Sequence, residues 1–363
     1  MTVHEDHNFT TKKMLDIFCN VIDNFGDIGF SLRLARDLTI YNLSVCLYCN
    51  NIQAVKKIAS NSDLLNPRLA INPWPESASS YTPSDTVIEA FSCRLPNEIS
   101  KKIKSNKSLV IQLDYLTAEK FAEDCHGLSS SNDGTKSFFF FPGFTKKTGG
   151  IICEDAYKKK IQTIKQTSIE DPCNISIFCY KTANLEAILN WLSDSKKAFS
   201  FSVFEGQPWQ LVSSIFGRNH QSKDTIQSGN FSFKYTPMSD QIAYDSTLLS
   251  HNLNFVRGED SIVRAMLSGR PFLWNIYPQE ADTHIKKLNS FFEFAKTICG
   301  SELAEPVREL NLIYNGHGKS FSLDVPDKFF EIWSSMSLSL SKYMLSQTSL
   351  TDRLISFISE HKI

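Results

Sequence analysis

Apolar residues along this chain recur at two alternating spacings, which predict strands and helices in turn. In the first half, continuous apolar runs typical of buried strands alternate with segments whose apolar residues follow helical spacing. The predicted strands lie at 15–22, 45–49, 87–91, 109–113 and 138–141, and the predicted helices at 30–38, 52–59, 96–103 and 118–125. The serine-rich stretch 129–134 is predicted to be an exposed loop. Strands that alternate with helices predict a parallel sheet.

The second half repeats the alternation after a polar, lysine-rich stretch. Its predicted strands lie at 175–180, 199–203, 231–235, 254–256 and 272–274, and its predicted helices at 185–192, after Pro208 and within 327–363. A length of 363 residues exceeds what one hydrophobic core usually covers. We therefore expect two α/β domains that face each other across a cleft. The expected boundaries are 1–153 for the N-terminal domain, 154–172 for a junction, 173–345 for the C-terminal domain and 346–363 for a terminal helix.

Composition and charge are those of an ordinary globular protein and narrow the classes of function. The net charge is -1, and Lys-Lys pairs such as 286–287 are scattered as on solvated faces, so nucleic acid is not an expected partner. No apolar stretch approaches the ~20 residues that span a bilayer, and the polar residues 1–13 lack the apolar core of a signal peptide. We expect a cytoplasmic protein that does not bind membranes.

Cysteine and histidine spacing indicates no metal site. Cys46 and Cys49 have the spacing of a zinc or redox pair, but they lie in a strand-like run, and no second Cys or His pair completes four ligands. His4 and His7 lack the helical spacing of a zinc-binding pair. We expect the nine cysteines to be reduced thiols and the protein to bind no metal.

Two carboxylates and two glycines crowd the turn at 23–29, between the first predicted strand and helix. Ligands of open α/β sheets bind at the carboxyl ends of strands, where glycines admit close backbone approach and helix amino termini favour anions. Asp27 could instead cap the helix, and Asp23 could close an Asx-turn. Because a helix needs one cap, two Asp four residues apart leave one carboxylate that capping does not explain.

Residues 254–261 repeat this design, with an apolar strand, a glycine turn, charged residues and a helix predicted from 262. Arg257, Ser261 and the helix N–H groups could hold a diphosphate. Glu259 would be repelled from the phosphates and would face a sugar hydroxyl or a cationic acceptor. The alternative is that Asp260 or Ser261 caps the helix while Glu259 stabilises its dipole. No Gly-x-Gly-x-x-Gly follows a strand, so a dinucleotide site is not favoured.

Two tyrosines are candidates for stacking on a nucleobase. Tyr180 ends the first strand of the second half, and Tyr244 lies in the stretch 238–245. Base stacking on an aromatic ring is worth roughly 1–3 kcal/mol. Because the chain contains 27 Phe, the alternative is that both rings pack in the core.

The chain resembles the bacterial protein-arginine rhamnosyltransferases that glycosylate translation elongation factor P. The resemblance covers most of the chain and rests on several motifs. They are Asp-Asn-Phe-Gly-Asp-Ile-Gly at 23–29, Phe-Phe-Pro-Gly-Phe at 140–144 with Thr-Gly-Gly at 148–150, Phe-Glu-Gly-Gln-Pro-Trp at 204–209, Arg-Gly-Glu-Asp-Ser at 257–261, and Gly-Arg-Pro-Phe at 269–272 through Ile-Tyr-Pro-Gln at 276–279.

The resemblance implies a GT-B glycosyltransferase, an α/β fold with two Rossmann-like domains. The acceptor, elongation factor P, would bind mainly to the first domain, and dTDP-β-L-rhamnose mainly to the second, with inversion at the anomeric carbon and no cofactor or metal. By the same resemblance, Asp27 is the leading catalytic carboxylate, Asp23 its partner and Glu259 a third essential acid. The implied donor-binding residues are Phe25, Gly26, Tyr180, Gln241, Tyr244, Arg257, Gly258, Asp260 and Ser261. Met238 and Tyr244 stand where the family is expected to have Phe.

Two alternatives to this function stay open at the level of sequence. The first is another GT-B nucleotide-sugar enzyme, either a transferase with a different acceptor or an epimerase. The second is a non-catalytic protein that only binds elongation factor P. A pure binder has no need for the acids Asp23, Asp27 and Glu259, which argues for an enzyme.

Overall fold

The computed structural model describes residues 14–22, 25–132, 135–164, 169, 171–318 and 325–361. Contacts between backbone positions divide the chain into two compact units. The first comprises the described residues of Met1–Asp114, Gly127–Phe140 and Leu354–Ile363, and the second comprises those of Tyr115–His126 and Phe141–Arg353. The linear boundaries expected from the sequence stay a prediction. Within the described ranges, no helix combines the length and the apolar character that crossing a bilayer requires.

The strands and helices alternate along most of the described chain. The strands are β1 (Met14–Cys19), β2 (Ser44–Cys49), β3 (Leu69–Pro73), β4 (Thr86–Ala90), β5 (Leu109–Leu113), β6 (Ser129–Asn132), β7 (Thr135–Phe140), β8 (Cys173–Ile177), β9 (Phe199–Phe204), β10 (Ile226–Ser228), β11 (Phe231–Thr236), β12 (Leu253–Arg257) and β13 (Phe272–Asn275). The helices are α1 (Gly26–Leu38), α2 (Ile52–Ile58), α3 (Asn61–Leu64), α4 (Asn97–Ser105), α5 (Lys120–Cys125), α6 (Asp155–Thr163), α7 (Leu185–Leu192), α8 (Gln207–Ile215), α9 (Gln241–Ser250), α10 (Gly258–Ser268), α11 (Thr283–Cys299), α12 (Ser301–Tyr314), α13 (Pro326–Leu345) and α14 (Leu350–His361).

The sheet of the first unit has the order β3-β2-β1-β4-β5-β7-β6. Its first five strands are parallel neighbours in the order 3-2-1-4-5, which is that of a doubly wound Rossmann sheet. The order reverses between β1 and β4, so a crevice for ligands is expected beyond the carboxyl end of β1.

The predicted loop at 129–134 is wrong over Ser129–Asn132. These residues form β6, which pairs antiparallel with β7 at the edge of the first sheet. A short edge strand made of serine and asparagine carries no apolar pattern, so hydrophobic periodicity could not indicate it.

The sheet of the second unit has the order β10-β11-β9-β8-β12-β13. Strands β11, β9, β8, β12 and β13 are parallel neighbours and repeat the 3-2-1-4-5 order. The switch point of this sheet lies between β8 and β12. All five residues of β12 are buried, as expected for a central parallel strand covered on both faces.

The predicted α/β class with two parallel-sheet, Rossmann-like domains is therefore confirmed. Two helices start earlier than predicted, because α1 begins at Gly26 and α10 at Gly258, before their apolar positions. The helices α3, α6, α9, α11 and α12 were not predicted from the sequence. Each candidate turn nevertheless falls at the switch point of its own sheet.

Candidate active site

In the first unit, the candidate carboxylate Asp27 occupies the second position of α1, just beyond the end of β1. Its side chain accepts a hydrogen bond from the N–H of Ile22 at 2.8 Å, and only 3% of its surface is exposed. The N-cap position belongs to Phe25, which makes no side-chain capping hydrogen bond. Asp27 therefore does not cap the helix as the simpler alternative proposed. It ties the helix start to the chain that leaves β1.

Of the other candidates in this turn, Phe25 and Gly26 are among the described residues and Asp23 is not. Phe25 and Gly26 are half-buried at the N-cap and the first position of α1, and the Phe25 carbonyl accepts the N–H of Gly29 at 2.8 Å. Asp23 lies outside the described residues. Whether Asp23 assists Asp27 stays a prediction.

The buried thiol of Cys19 lies close enough to Asp27 for the charge of that carboxylate to affect its pKa. Burial raises the pKa of Cys19 to about 12, and the negative charge of Asp27 adds to this rise, whereas a hydrogen bond with Ser31 opposes it. The hydroxyl of Ser31 donates to the Asp27 carbonyl at 2.9 Å. Cys19 is therefore a protonated, unreactive thiol at neutral pH. All nine cysteines lie in the described part of the chain, and none of them forms a disulfide.

In the second unit, α10 starts in the turn after β12. Gly258 has a φ of 66°, a left-handed conformation that glycine adopts without strain, and its carbonyl accepts the indole N–H of Trp274 at 2.8 Å. The preceding residue, Arg257, is the N-cap and is only 8% exposed. The first N–H groups of any helix have no acceptor within the helix, and such a helix start favours anions.

The guanidinium of Arg257 is held by the end of β8. Its central carbon lies 4.2 Å from the centre of the Phe178 ring and 4.8 Å from that of Tyr180. One guanidinium nitrogen donates to the Cys179 carbonyl at 3.2 Å. The ring of Tyr180 also meets that of Tyr277 edge-on at 5.4 Å. The switch point between β8 and β12 therefore contains a fixed positive charge.

The acids of the turn have different surroundings. One oxygen of Glu259 forms an ion pair with Lys287 of α11, and the other accepts the N–H of Leu116 at 2.7 Å. A carboxylate oxygen of Asp260 lies 3.5 Å from the amide nitrogen of Gln241. None of these three contacts was predicted, and Lys287, which the sequence indicated as part of a solvated pair, is instead largely withdrawn from water.

Helix α9 brings two further candidates to this region. Gln241 is its first residue and is buried, while Asp240 caps the helix by accepting the N–H of Ala243 at 2.9 Å. The ring of Tyr244 packs against Phe178 and Phe204, with centroids 5.5 and 5.4 Å apart.

The buried hydroxyl of Tyr244 makes no hydrogen bond of normal geometry with the described residues. Burial raises the pKa of Tyr244, and the neighbouring Ser261 hydroxyl opposes this rise. The ring of Tyr244 therefore packs against the core, and base stacking on it stays a prediction.

A buried ion cluster joins α9, α10 and the segment before α6. Arg264 donates to both carboxylate oxygens of Asp245, at 3.0 and 2.6 Å, and pairs with Glu154. Its guanidinium carbon lies 3.4 Å from the centre of the Tyr157 ring, and the Tyr157 hydroxyl donates to the Arg264 carbonyl at 3.0 Å. The two helices that carry the candidate donor residues are thereby fixed to each other.

One group of possible metal ligands lies at the start of α11 among the described residues. Ligand atoms of Asp282, His284 and His317 lie within 4.8 Å of one another, and His317 Nε2 is 3.6 Å from Asp282 Oδ1. The Nδ1 atom of His284 accepts the N–H of Gln279 at 3.3 Å. None of these residues belongs to the predicted site. The expected independence from metal stays a prediction that chelation can test.

Comparison with known proteins decides the family. The family model described as "Elongation-Factor P (EF-P) rhamnosyltransferase EarP" matches residues 15–359. The chain is 33% identical to a protein-arginine rhamnosyltransferase of Shewanella oneidensis, over 83% of this chain and 85% of the relative. It is 32% identical to that of Pseudomonas aeruginosa, over 84% and 87% of the two chains. The chain belongs to the EarP family.

Solved structures support the fold of this EarP family member. The fold of this chain is similar to a structure described as the structural basis for EarP-mediated arginine glycosylation of translation elongation factor EF-P, with a TM-score of 0.65, 22% identity and coverage of 96% of this chain and 100% of that one. It also resembles Arabidopsis thaliana UGT89C1 complexed with UDP, with a TM-score of 0.53, 12% identity and coverage of 97% and 100%. The GT-B class and the resemblance inferred from the motifs are both confirmed. The protein is a glycosyltransferase of the protein-arginine rhamnosyltransferase family.

Proposed function

We propose that this enzyme transfers L-rhamnose from dTDP-β-L-rhamnose to an arginine side chain of elongation factor P, with inversion at the anomeric carbon and without a metal. The observation that carries the proposal is the turn at the start of α10. There, Arg257 is held between Phe178 and Tyr180 beside a helix amino terminus, at the switch point of a Rossmann sheet. In a member of this family, such a turn is suited to a nucleotide diphosphate.

The residues proposed to hold the diphosphate and to border the base belong to the second unit. Arg257 and Ser261, with the backbone N–H groups after Gly258, would hold the diphosphate, because all three kinds of donor suit phosphate oxygens. Gln241 and Tyr244 of α9 would border the thymine, with Asp260 fixed beside Gln241. The ring of Tyr180 would act by holding Arg257. No carboxylate pair is needed to bind a metal, since the guanidinium and the helix start supply the positive charge.

The acceptor poses a chemical problem that the proposed acids address. An arginine side chain stays protonated, with a pKa above about 12, so its nitrogens are poor nucleophiles. A carboxylate with a pKa near 4 cannot deprotonate it before reaction. We assign Asp27, with Asp23 as its partner, to orient and desolvate the guanidinium, which pairs well with carboxylates in two-bond geometry, and we propose Glu259 as a third essential acid.

The reaction then balances without a further reactant. A C–N bond forms between a guanidinium nitrogen and the anomeric carbon as the bond from that carbon to the diphosphate oxygen breaks. The new bond draws electron density from nitrogen, so its proton becomes acidic late in the reaction and passes to Asp27. The negative charge that develops on the departing dTDP is stabilised by the Arg257 guanidinium and by the amino terminus of α10.

Intact-mass spectrometry of elongation factor P, after incubation with the enzyme and dTDP-β-L-rhamnose, tests this proposal. We expect a gain of one deoxyhexose, and we expect the gain to persist when EDTA replaces any added metal. A parallel reaction with UDP-glucose controls for donor identity. A mass gain from UDP-glucose alone would assign another donor, and no gain despite dTDP binding would indicate another acceptor or a binding-only role.

A further inference from the structure

The ion pair between Glu259 and Lys287 stands in a turn that the proposed function assigns to an anionic diphosphate. Glu259 is in the first turn of α10, two positions after Arg257. A carboxylate at that place repels a diphosphate. The repulsion energy falls only in inverse proportion to the distance, and it is larger where the effective dielectric constant is low. The proposed function therefore requires that the charge of Glu259 be compensated.

Lys287 supplies that compensation from a different helix. Its ammonium group pairs with one oxygen of Glu259, and the side chains of the two residues are only 13% and 18% exposed. Because water screens the pair weakly, it is worth more than an ordinary surface ion pair. The other oxygen of Glu259 accepts the N–H of Leu116 at 2.7 Å, so the carboxylate is held at both oxygens.

The surroundings of Lys287 differ from those of its neighbour in sequence, Lys286. Its ammonium nitrogen lies 5.9 Å from the centre of the Tyr115 ring, on the same segment as Leu116. The neighbouring Lys286 on α11 is exposed. Two adjacent lysines of the same helix therefore differ in burial and in their contact with Glu259.

We propose that Lys287 is a positioning residue, which holds Glu259 against the amide of Leu116 and neutralises it, so that an acid and a diphosphate can share the turn at the start of α10. The inference rests on the proposed function and concerns the donor site. Lys287 acts through Glu259 and not by contact with the reacting atoms.

Calorimetric binding of dTDP tests the inference without requiring turnover. Lys287→Met leaves the Glu259 charge uncompensated, so we expect the dTDP dissociation constant to rise about tenfold at low salt, with a smaller rise at high salt. Lys287→Arg keeps the charge and should bind dTDP within about threefold of wild type. The matched control is Lys286→Met, which should bind dTDP as wild type does.

A second comparison separates charge compensation from a purely structural role. The double variant Lys287→Met/Glu259→Gln loses both charges of the pair and so keeps the net local charge of wild type. Its dTDP dissociation constant should return to within about threefold of the wild-type value, although Lys287→Met alone raises it about tenfold. A tenfold loss that persists in the double variant, or wild-type binding by a folded Lys287→Met variant, would overturn the inference.

Failure of the proposed function gives a different result. Wild-type protein that binds no dTDP would overturn the proposed donor, and this inference with it. Wild-type protein that binds dTDP but does not modify elongation factor P would overturn only the acceptor, and the Lys287 comparison would keep its meaning.

Discussion

The guanidinium carbon of Arg257 lies 4.8 Å from the centre of the Tyr180 ring. Tyr180 is only 4% exposed, and its N–H donates to Asn275 at 2.9 Å, so the ring is fixed from its own backbone. A cation over an aromatic face is attracted to it more strongly when both are desolvated. The relationship gives Tyr180 a role other than the base stacking considered from the sequence, because one face of its ring already contacts Arg257.

Asp27→Asn should abolish most rhamnosyl transfer. The amide keeps an oxygen that can accept the Ile22 N–H, so the fold of the turn is preserved, but it can neither pair with a guanidinium nor accept its proton. We expect turnover to fall by about 10²–10⁴-fold. Binding of dTDP should stay unchanged, because the residues proposed to hold the diphosphate and to border the base lie in the second unit.

Initial rates on elongation factor P, with dTDP calorimetry, check this assignment. Asp85→Asn, at an exposed position of the same unit, is the control and should retain wild-type turnover. Wild-type turnover in Asp27→Asn would remove Asp27 from the catalytic group.

Tyr244→Phe and Tyr244→Ala should have different effects, because the first removes only the hydroxyl and the second removes the whole ring. The phenol hydroxyl is buried without a hydrogen bond of normal geometry, so removing it should leave the free energy of unfolding unchanged or raise it by about 1 kcal/mol. Truncation to Ala removes the ring that packs on Phe178 and Phe204 and should weaken dTDP binding about tenfold.

Urea denaturation and dTDP calorimetry of both variants check the role of Tyr244. Equal losses of dTDP affinity in Tyr244→Phe and Tyr244→Ala would mean that the hydroxyl, and not the ring, contacts the nucleotide. Unchanged affinity in both variants would place the base elsewhere.

Arg264→Met should strongly destabilise the second unit. The substitution leaves the carboxylates of Asp245 and Glu154 buried without their cation. Breaking a buried ion cluster in this way costs about 3–5 kcal/mol. The control Arg308→Met removes a partly exposed partner of Glu305 and should cost less than about 1 kcal/mol. Denaturation by urea measures both, and equal small losses would show that the cluster adds little stability.

The partly buried imidazole of His126 should make the free energy of unfolding depend on pH. Burial, aided by the positive charge of Arg353, lowers the pKa of this imidazole from 6.5 to about 4, and its Nδ1 accepts the Phe141 N–H at 3.1 Å. A lowered folded-state pKa means that protonation favours the unfolded chain. Stability from this group is complete above pH 6.5 and is lost progressively as the pH falls towards 4.

Urea denaturation at pH 7.5 and pH 5 tests the role of His126. Between these values wild type should lose on the order of 2 kcal/mol more than His126→Asn, whose amide oxygen can replace Nδ1 as acceptor. His220→Asn, at an exposed position, should follow wild type. Parallel pH dependence in wild type and His126→Asn would contradict the lowered pKa.

The sequence could predict the parts of the fold that depend on local pattern. Continuous apolar runs located β1, β8 and β12, and the two glycine turns that follow β1 and β12 do lie at switch points. These features are local because strand pattern and turn chemistry are written in adjacent residues. The assignment of roles to Asp27 and Glu259 came from the family motifs and stays a prediction.

Contacts between distant parts of the chain could not be predicted from periodicity. Lys287 meets Glu259 from a helix that the pattern did not reveal, and Glu154 meets Arg264 from a stretch interpreted as a junction. Lysine and glutamate usually lie on protein surfaces, so only the fold shows that Lys287, Glu259 and Glu154 are largely withdrawn from water. The motif at 276–279 was the one signal that pointed towards Tyr277, which meets Tyr180.

Tandem mass spectrometry of elongation factor P after reaction with dTDP-β-L-rhamnose tests the central claim most directly, because it locates the added sugar. We predict one deoxyhexose on a single arginine side chain, formed by wild type in the presence of EDTA and absent with Asp27→Asn. A deoxyhexose on a serine, threonine or asparagine, or unmodified elongation factor P with an enzyme that binds dTDP, would contradict the proposed arginine rhamnosylation.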